Sequence, residues 1–136
     1  MQNRRDFMKS SLVVSTGLLA ATAIPAIAKE NKVKNIFAYS ASEPGRWEGK
    51  AGSHAPVVSV DGNKVTIETK HGMAEMHYIV KHTLVTASGE VLGEQAFFPK
   101  TDKKAISSYE IKGEHKELFA LSFCNLHDLW VTEFKV

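Results

Sequence analysis

Hydrophobic and polar residues alternate in short two-fold runs along most of the chain, the pattern of strands that bury one face. Pro56-Val57-Val58-Ser59-Val60 is followed by Asp61-Gly62 and then by Lys64-Val65-Thr66-Ile67-Glu68-Thr69. That order predicts strand, two-residue turn, strand, because Asp-Gly tolerates the positive φ such a turn demands. His77 to Thr86 is rich in β-branched and aromatic residues and runs to a turn at Ser88-Gly89, after which Glu90 to Phe98 returns and stops at Pro99. Ser107 to Ile111, Glu117 to Phe123 and Leu129 to Val136 bring the total to about seven strands, spaced as an antiparallel β-sandwich requires. No helix of convincing length is expected after residue 28, and residues 40–53, with Pro, Ser and three glycines, are expected to form a loop.

The N-terminus follows a different pattern. Asn3-Arg4-Arg5-Asp6-Phe7-Met8-Lys9 precedes a moderately apolar stretch, Ser11 to Ile27, that ends in the small-x-small sequence Ala26-Ile27-Ala28. Its polarity and cleavage signal point to a removed signal peptide over residues 1–28 rather than a membrane anchor. The paired arginines resemble a twin-arginine leader, which implies export to the periplasm. Residues 29–136 are then expected to form one domain.

Removing the leader alters the charge. The chain has 17 basic and 15 acidic residues; Arg4, Arg5, Lys9 and Asp6 lie in the leader, leaving 14 of each. A formally neutral domain gives no support for nucleic-acid binding.

Candidate chemistry lies in the single cysteine and the histidines. Without a partner, Cys124 closes no internal disulfide, so it is a buried small hydrophobe, an intermolecular link, or a ligand or nucleophile. Three residues on stands His127, and His54, His71 and His77 sit beside turn or strand-end signals. Imidazole and thiolate suit first-row transition metals, whereas magnesium or calcium would want carboxylates. Five such donors exceed a four-coordinate structural zinc site and point to iron.

Three motifs then share one resemblance. His71-x5-His77-Tyr78-Ile79, Cys124-Asn125-Leu126-His127-x-Leu129-Trp130 and the upstream His54-x-Pro56 resemble, in order, the superoxide reductase family of neelaredoxins and desulfoferrodoxins. The resemblance implies an immunoglobulin-like β-sandwich carrying a mononuclear non-haem iron, with His54, His71, His77 and His127 equatorial and Cys124 axial. It also implies one-electron reduction of superoxide to hydrogen peroxide at an open sixth position, a rubredoxin-like or cytochrome-type electron donor, and homodimers or homotetramers. With one cysteine, the four-thiolate centre of desulfoferrodoxins cannot be built within the chain, so the single-iron class is expected.

The chain departs from the family pattern at several positions. Directly before His54, where the family has Glu-Lys, stand Gly52-Ser53, while Glu48 and Lys50 lie upstream. The displaced pair is the candidate for the family's roles: Lys50 to attract superoxide, Glu48 to occupy the sixth position in the ferric form. An ordinary solvated lysine is the other reading of Lys50. Gly72 replaces a common proline, and Asp128 replaces a common glycine and is expected to point to water. His82 and His115 match no family motif and are read as core or surface residues. Two further functions are compatible with a β-sandwich. A cupredoxin-like electron-transfer protein would need a weak axial ligand after the last histidine, yet the last methionine, Met76, precedes Cys124. A metal-free binding module would leave the grouped ligand-type residues without a role.

Overall fold

The structure, a computed structural model, describes residues 38–136. The leader expected over residues 1–28 lies outside them, and among the described residues no helix is long and apolar enough to cross a membrane. Seven strands form: β1 (Val57–Asp61), β2 (Lys64–Thr69), β3 (Ile79–Thr86), β4 (Val91–Ala96), β5 (Ala105–Glu110), β6 (Glu117–Cys124) and β7 (Asp128–Lys135). They make two antiparallel sheets, ordered β1-β2-β5 and β4-β3-β6-β7, as the alternating pattern predicts.

Burial follows the two-fold period most clearly in β2 and β6, where every second side chain faces inward. Val65 and Ile67 of β2 meet Leu84 of β3 and Leu118 and Ala120 of β6 in the central core. A second cluster, Ile79, Phe97, Ala105 and Cys124 with Met73 against it, fills the end of the sandwich where β6 finishes. β3 breaks the strict alternation, since the register against β6 shifts between Ile79 and Lys81. The extra residue reverses parity, so Ile79 opposite Cys124, His82 opposite Ser122 and Leu84 opposite Ala120 are all buried.

Three local expectations are corrected. The β1–β2 turn is Gly62-Asn63, not Asp61-Gly62: Asp61 pairs with Lys64, and Gly62 takes φ +58°, as the first turn position of a type II′ hairpin requires. Most strand limits differ by a residue or two, and β3 starts at Ile79, leaving His77 in the turn before it. The loop expected over residues 40–53 contains a 3-10 turn, Gly45–Trp47, and one helical turn, α1 (Ala51–His54). Pro56 stops α1, because proline disfavours helical angles at the preceding residue, and Ala55 is accordingly extended.

Gly93 in β4 has a steric role. A Cβ there would lie 2.2 Å from the Tyr109 ring, so the two sheets can approach this closely only over a glycine.

Candidate metal centre

The imidazoles of His54, His71, His77 and His127 and the thiol of Cys124 converge at one end of the sandwich, with ligand atoms all within 4.8 Å of one another. Each arrives from a different local structure. His54 is the last residue of α1 and is buried. His71 follows β2, its N–H bonded to the Thr69 carbonyl at 2.8 Å. His77 closes a tight turn in which Ala74 and His77 exchange backbone hydrogen bonds. Cys124 ends β6 and is fully buried, and His127 lies in the β6–β7 turn.

Three successive nitrogen pairs outline the cluster: His54 Nε2 to His127 Nδ1 at 3.0 Å, His127 Nδ1 to His77 Nε2 at 2.9 Å, and His77 Nε2 to His71 Nε2 at 3.1 Å. Two nitrogens each about 2.1 Å from one ion, at right angles, would be about 3 Å apart, so the spacing would let neighbouring imidazoles share one ion. Cys124 Sγ lies 3.6 Å from His127 Nδ1.

Backbone carbonyls fix the tautomers. His54 Nδ1 donates to the Lys50 carbonyl at 3.1 Å and His71 Nδ1 donates to the Gly72 carbonyl. A carbonyl can only accept, so both protons sit on Nδ1 and both Nε2 lone pairs face the cluster. Burial pushes the His54 pKa down to about 4, with the like charge of His71 adding to it, and burial lowers those of His71 and His127 as well. Neutral imidazoles whose lone pairs converge beside a thiol repel one another unless a cation lies between them. The donor set, borderline nitrogen with soft sulfur, fits a first-row transition ion.

The sulfur is on the core side, against Ile79, Phe97 and Ala105, whereas His71, His77 and His127 are partly exposed. The site therefore opens to solvent through its imidazole side. Lys50, half-buried just before α1, holds its ammonium close enough to His127 to contribute, after burial and His77, to that residue's lowered pKa. Glu48 is exposed and is not one of the five converging residues.

Other residues support the cluster from outside it. Asn125 donates from Nδ2 to the Met76 carbonyl (3.0 Å) and accepts the Tyr78 N–H at Oδ1 (3.0 Å), gripping both neighbours of His77. Its own N–H goes to the Tyr78 carbonyl, so the backbone amide of Asn125 is also spent on the His77 segment. Asp128 does not point to water: it accepts from Arg46 Nη2 (2.6 Å) and from the Trp47 indole (2.9 Å), which sets Trp47 edge-on to His127. Asp128 has φ +63°, which explains why glycine suits this position in the resembled family. Trp130, fully buried, donates its indole N–H to the His127 carbonyl at 2.8 Å. Gly-Arg-Trp before α1 gave no local sign of these contacts, since Arg46 and Trp47 lie 82 and 81 residues from Asp128. His82 is a core residue, and His115 bonds the Lys112 carbonyl away from the cluster.

The family model described as desulfoferrodoxin matches residues 46–133. Among solved structures, the superoxide reductase of Giardia intestinalis is 27% identical over 62% of this chain and 98% of its own, with a TM-score of 0.57. The superoxide reductase of Treponema pallidum is 28% identical over 60% of this chain and 66% of its own, TM-score 0.51. A neelaredoxin of Ignicoccus hospitalis, 21% identical over 74% of this chain and 94% of its own, shares the fold at a TM-score of 0.61. No curated protein sequence matches the chain. The matched stretch spans most of the sandwich and contains all five converging residues, and the chain belongs to the desulfoferrodoxin family.

Proposed function

We propose that this protein is a superoxide reductase, reducing superoxide to hydrogen peroxide at a mononuclear non-haem iron held by His54, His71, His77, His127 and Cys124. The observation that carries the reading is the convergence of four imidazole nitrogens and one thiol, with two of the tautomers fixed by carbonyls. When bound, the iron supplies the electron and a cationic centre for a small anion.

The chain's own residues do the rest. Cys124, walled by apolar side chains, keeps its sulfur away from water, so a thiolate there would hold the metal undiminished by solvent hydrogen bonds. The partly exposed imidazole side admits the anion. Lys50 is assigned to draw superoxide in, and Glu48 to supply a carboxylate beside the bound metal. Superoxide takes up one electron and two protons to leave as hydrogen peroxide; the protons come from solvent on the imidazole side. A small donor protein, rubredoxin-like or cytochrome-type, returns the electron. The leader supports export by the twin-arginine route to the periplasm, and the family resemblance supports a homodimer or homotetramer. A cupredoxin-like site would use two histidines, the cysteine and a weak axial ligand; four converging imidazoles disfavour it.

Metal analysis, a visible spectrum of the oxidised protein and a superoxide assay test the reading together. One iron per chain, a thiolate-to-ferric band lost in Cys124→Ser, and hydrogen peroxide formed without oxygen are expected. Copper with an intense blue band, or no stoichiometric metal, would overturn it.

A further inference from the structure

Directly beneath the candidate metal centre lies a buried polar chain that none of the proposed chemistry uses. His82 Nδ1 meets Ser107 Oγ at 2.9 Å, His82 Nε2 meets Thr69 Oγ1 at 2.8 Å, and Thr69 Oγ1 meets Ser122 Oγ at 2.7 Å. All four residues are at most 2% exposed. Thr69 and Ser107 belong to the three-stranded sheet, His82 and Ser122 to the four-stranded one, so each of the three hydrogen bonds crosses from one sheet to the other.

Such a network is costly to place in a core unless each member is satisfied, and here each is. With the imidazole proton on Nε2, His82 donates to Thr69, Thr69 donates to Ser122, and Ser107 donates to Nδ1; the opposite tautomer reverses the whole sequence. The ring of Phe97 stands edge-on to His82 at 4.8 Å and packs in the same cluster as Cys124.

Two members of this chain, Thr69 and Ser122, each stand two residues before a converging side chain. Thr69 is the last residue of β2, two before His71, and its carbonyl takes the His71 N–H. Ser122 is two residues before Cys124 on the same inward face of β6. It also pairs across the strands with Trp130, whose indole holds the His127 carbonyl. The Thr69–Ser122 bond therefore joins the strand leading to one converging residue on one sheet to the strand leading to another on the opposite sheet.

We infer that Thr69, Ser122 and His82 are positioning residues that fix the separation of His71 from Cys124 and so tune the affinity and geometry of the metal centre. This inference rests on the metal reading above. Sheet-to-sheet apolar packing alone resists sliding weakly because it is non-directional, whereas a directional hydrogen bond sets one register. Ser107 provides the internal control. It bonds the imidazole from the other side, and its partner in β2 is Ile67, farther from the cluster than Thr69. If Ser107 is lost, His82 keeps its Thr69 bond by carrying its proton on Nε2.

The test is a cobalt(II) titration of the full chain stripped of metal, read by chelator competition and by the thiolate-to-cobalt charge-transfer band. Thr69→Val should weaken cobalt binding by on the order of tenfold and move the band. Ser107→Ala should stay within about twofold of the parent, while both variants melt lower. Thr69→Ser should restore affinity and band. Ser122→Ala makes the same comparison should Thr69→Val fail to fold. An unchanged affinity and band in Thr69→Val or Ser122→Ala overturns the inference, as does an equal loss in Ser107→Ala, which would mean that affinity merely follows stability. A parent chain that binds no cobalt overturns the metal centre itself, and the inference with it.

Discussion

The carboxamide of Asn125 brackets His77, accepting the N–H of Tyr78 and donating to the carbonyl of Met76, each at 3.0 Å. His77 lies in a turn outside any strand, so this side chain takes over the role that a sheet ladder plays elsewhere. The same residue follows Cys124, so one amide ties two converging residues from distant parts of the chain.

Asn125→Ala is accordingly expected to lower stability by about 1–2 kcal/mol and to loosen His77. Asn125→Asp keeps an acceptor for the Tyr78 N–H but loses the donor to Met76, and should fall between parent and alanine variant. Urea denaturation with chelator competition checks both; an alanine variant that binds metal as the parent does would refute the bracketing role.

Lys50 is the residue to test for attraction of the anion. Lys50→Ala should lower the bimolecular rate with superoxide several-fold at low salt and flatten its dependence on ionic strength, because steering by charge is screened within about 10 Å at 0.1 M salt. Stopped-flow or pulse measurements over a salt series decide it. Unchanged rate and salt slope would leave Lys50 as an ordinary solvated lysine.

His82 also sets an acid limit on stability. Burial lowers its pKa to about 4 from an ordinary 6.5, and no charged group contacts it; its polar neighbours are the hydroxyls of Thr69, Ser107 and Ser122. Between those values the unfolded chain binds a proton that the folded chain refuses, so this stabilisation is complete above about pH 6.5 and is lost as the pH falls towards 4. The loss from this one residue is about 3 kcal/mol. Denaturation of metal-free parent and His82→Gln at pH 7 and pH 4.5 should show a shallower pH slope in the variant; identical slopes would mean that His82 does not titrate with unfolding.

Gly93→Ala is expected to destabilise by about 1–3 kcal/mol, since the added carbon would press into the Tyr109 ring. Pairing it with Tyr109→Leu, which vacates the space, should make the alanine nearly harmless. A thermal melt of the four proteins in that double-mutant cycle shows whether the cost is the clash.

The alternation of β2 and β6, the Gly62 turn signal to within one residue, and the types of all five converging side chains are set by local sequence. Strand periodicity is a short-range property, and Cys and His declare their chemistry by type. What tertiary structure decided is longer in range. The shift at Ile79–Lys81 cannot be read from β3 alone, because it exists only against β6, yet it puts both Ile79 and His82 in the core. The helical turn at Ala51–His54 contains a glycine and has little intrinsic helix preference; it is held by His54 and Ser53 bonding the Lys50 carbonyl. Asp128 found its partners in Arg46 and Trp47, and His82 found a hydrogen-bonded place between the sheets. Alternating residues determine which face of each strand is buried. Which residues from separate strands then meet, and with what tautomer and spacing, is fixed only when the two sheets pack.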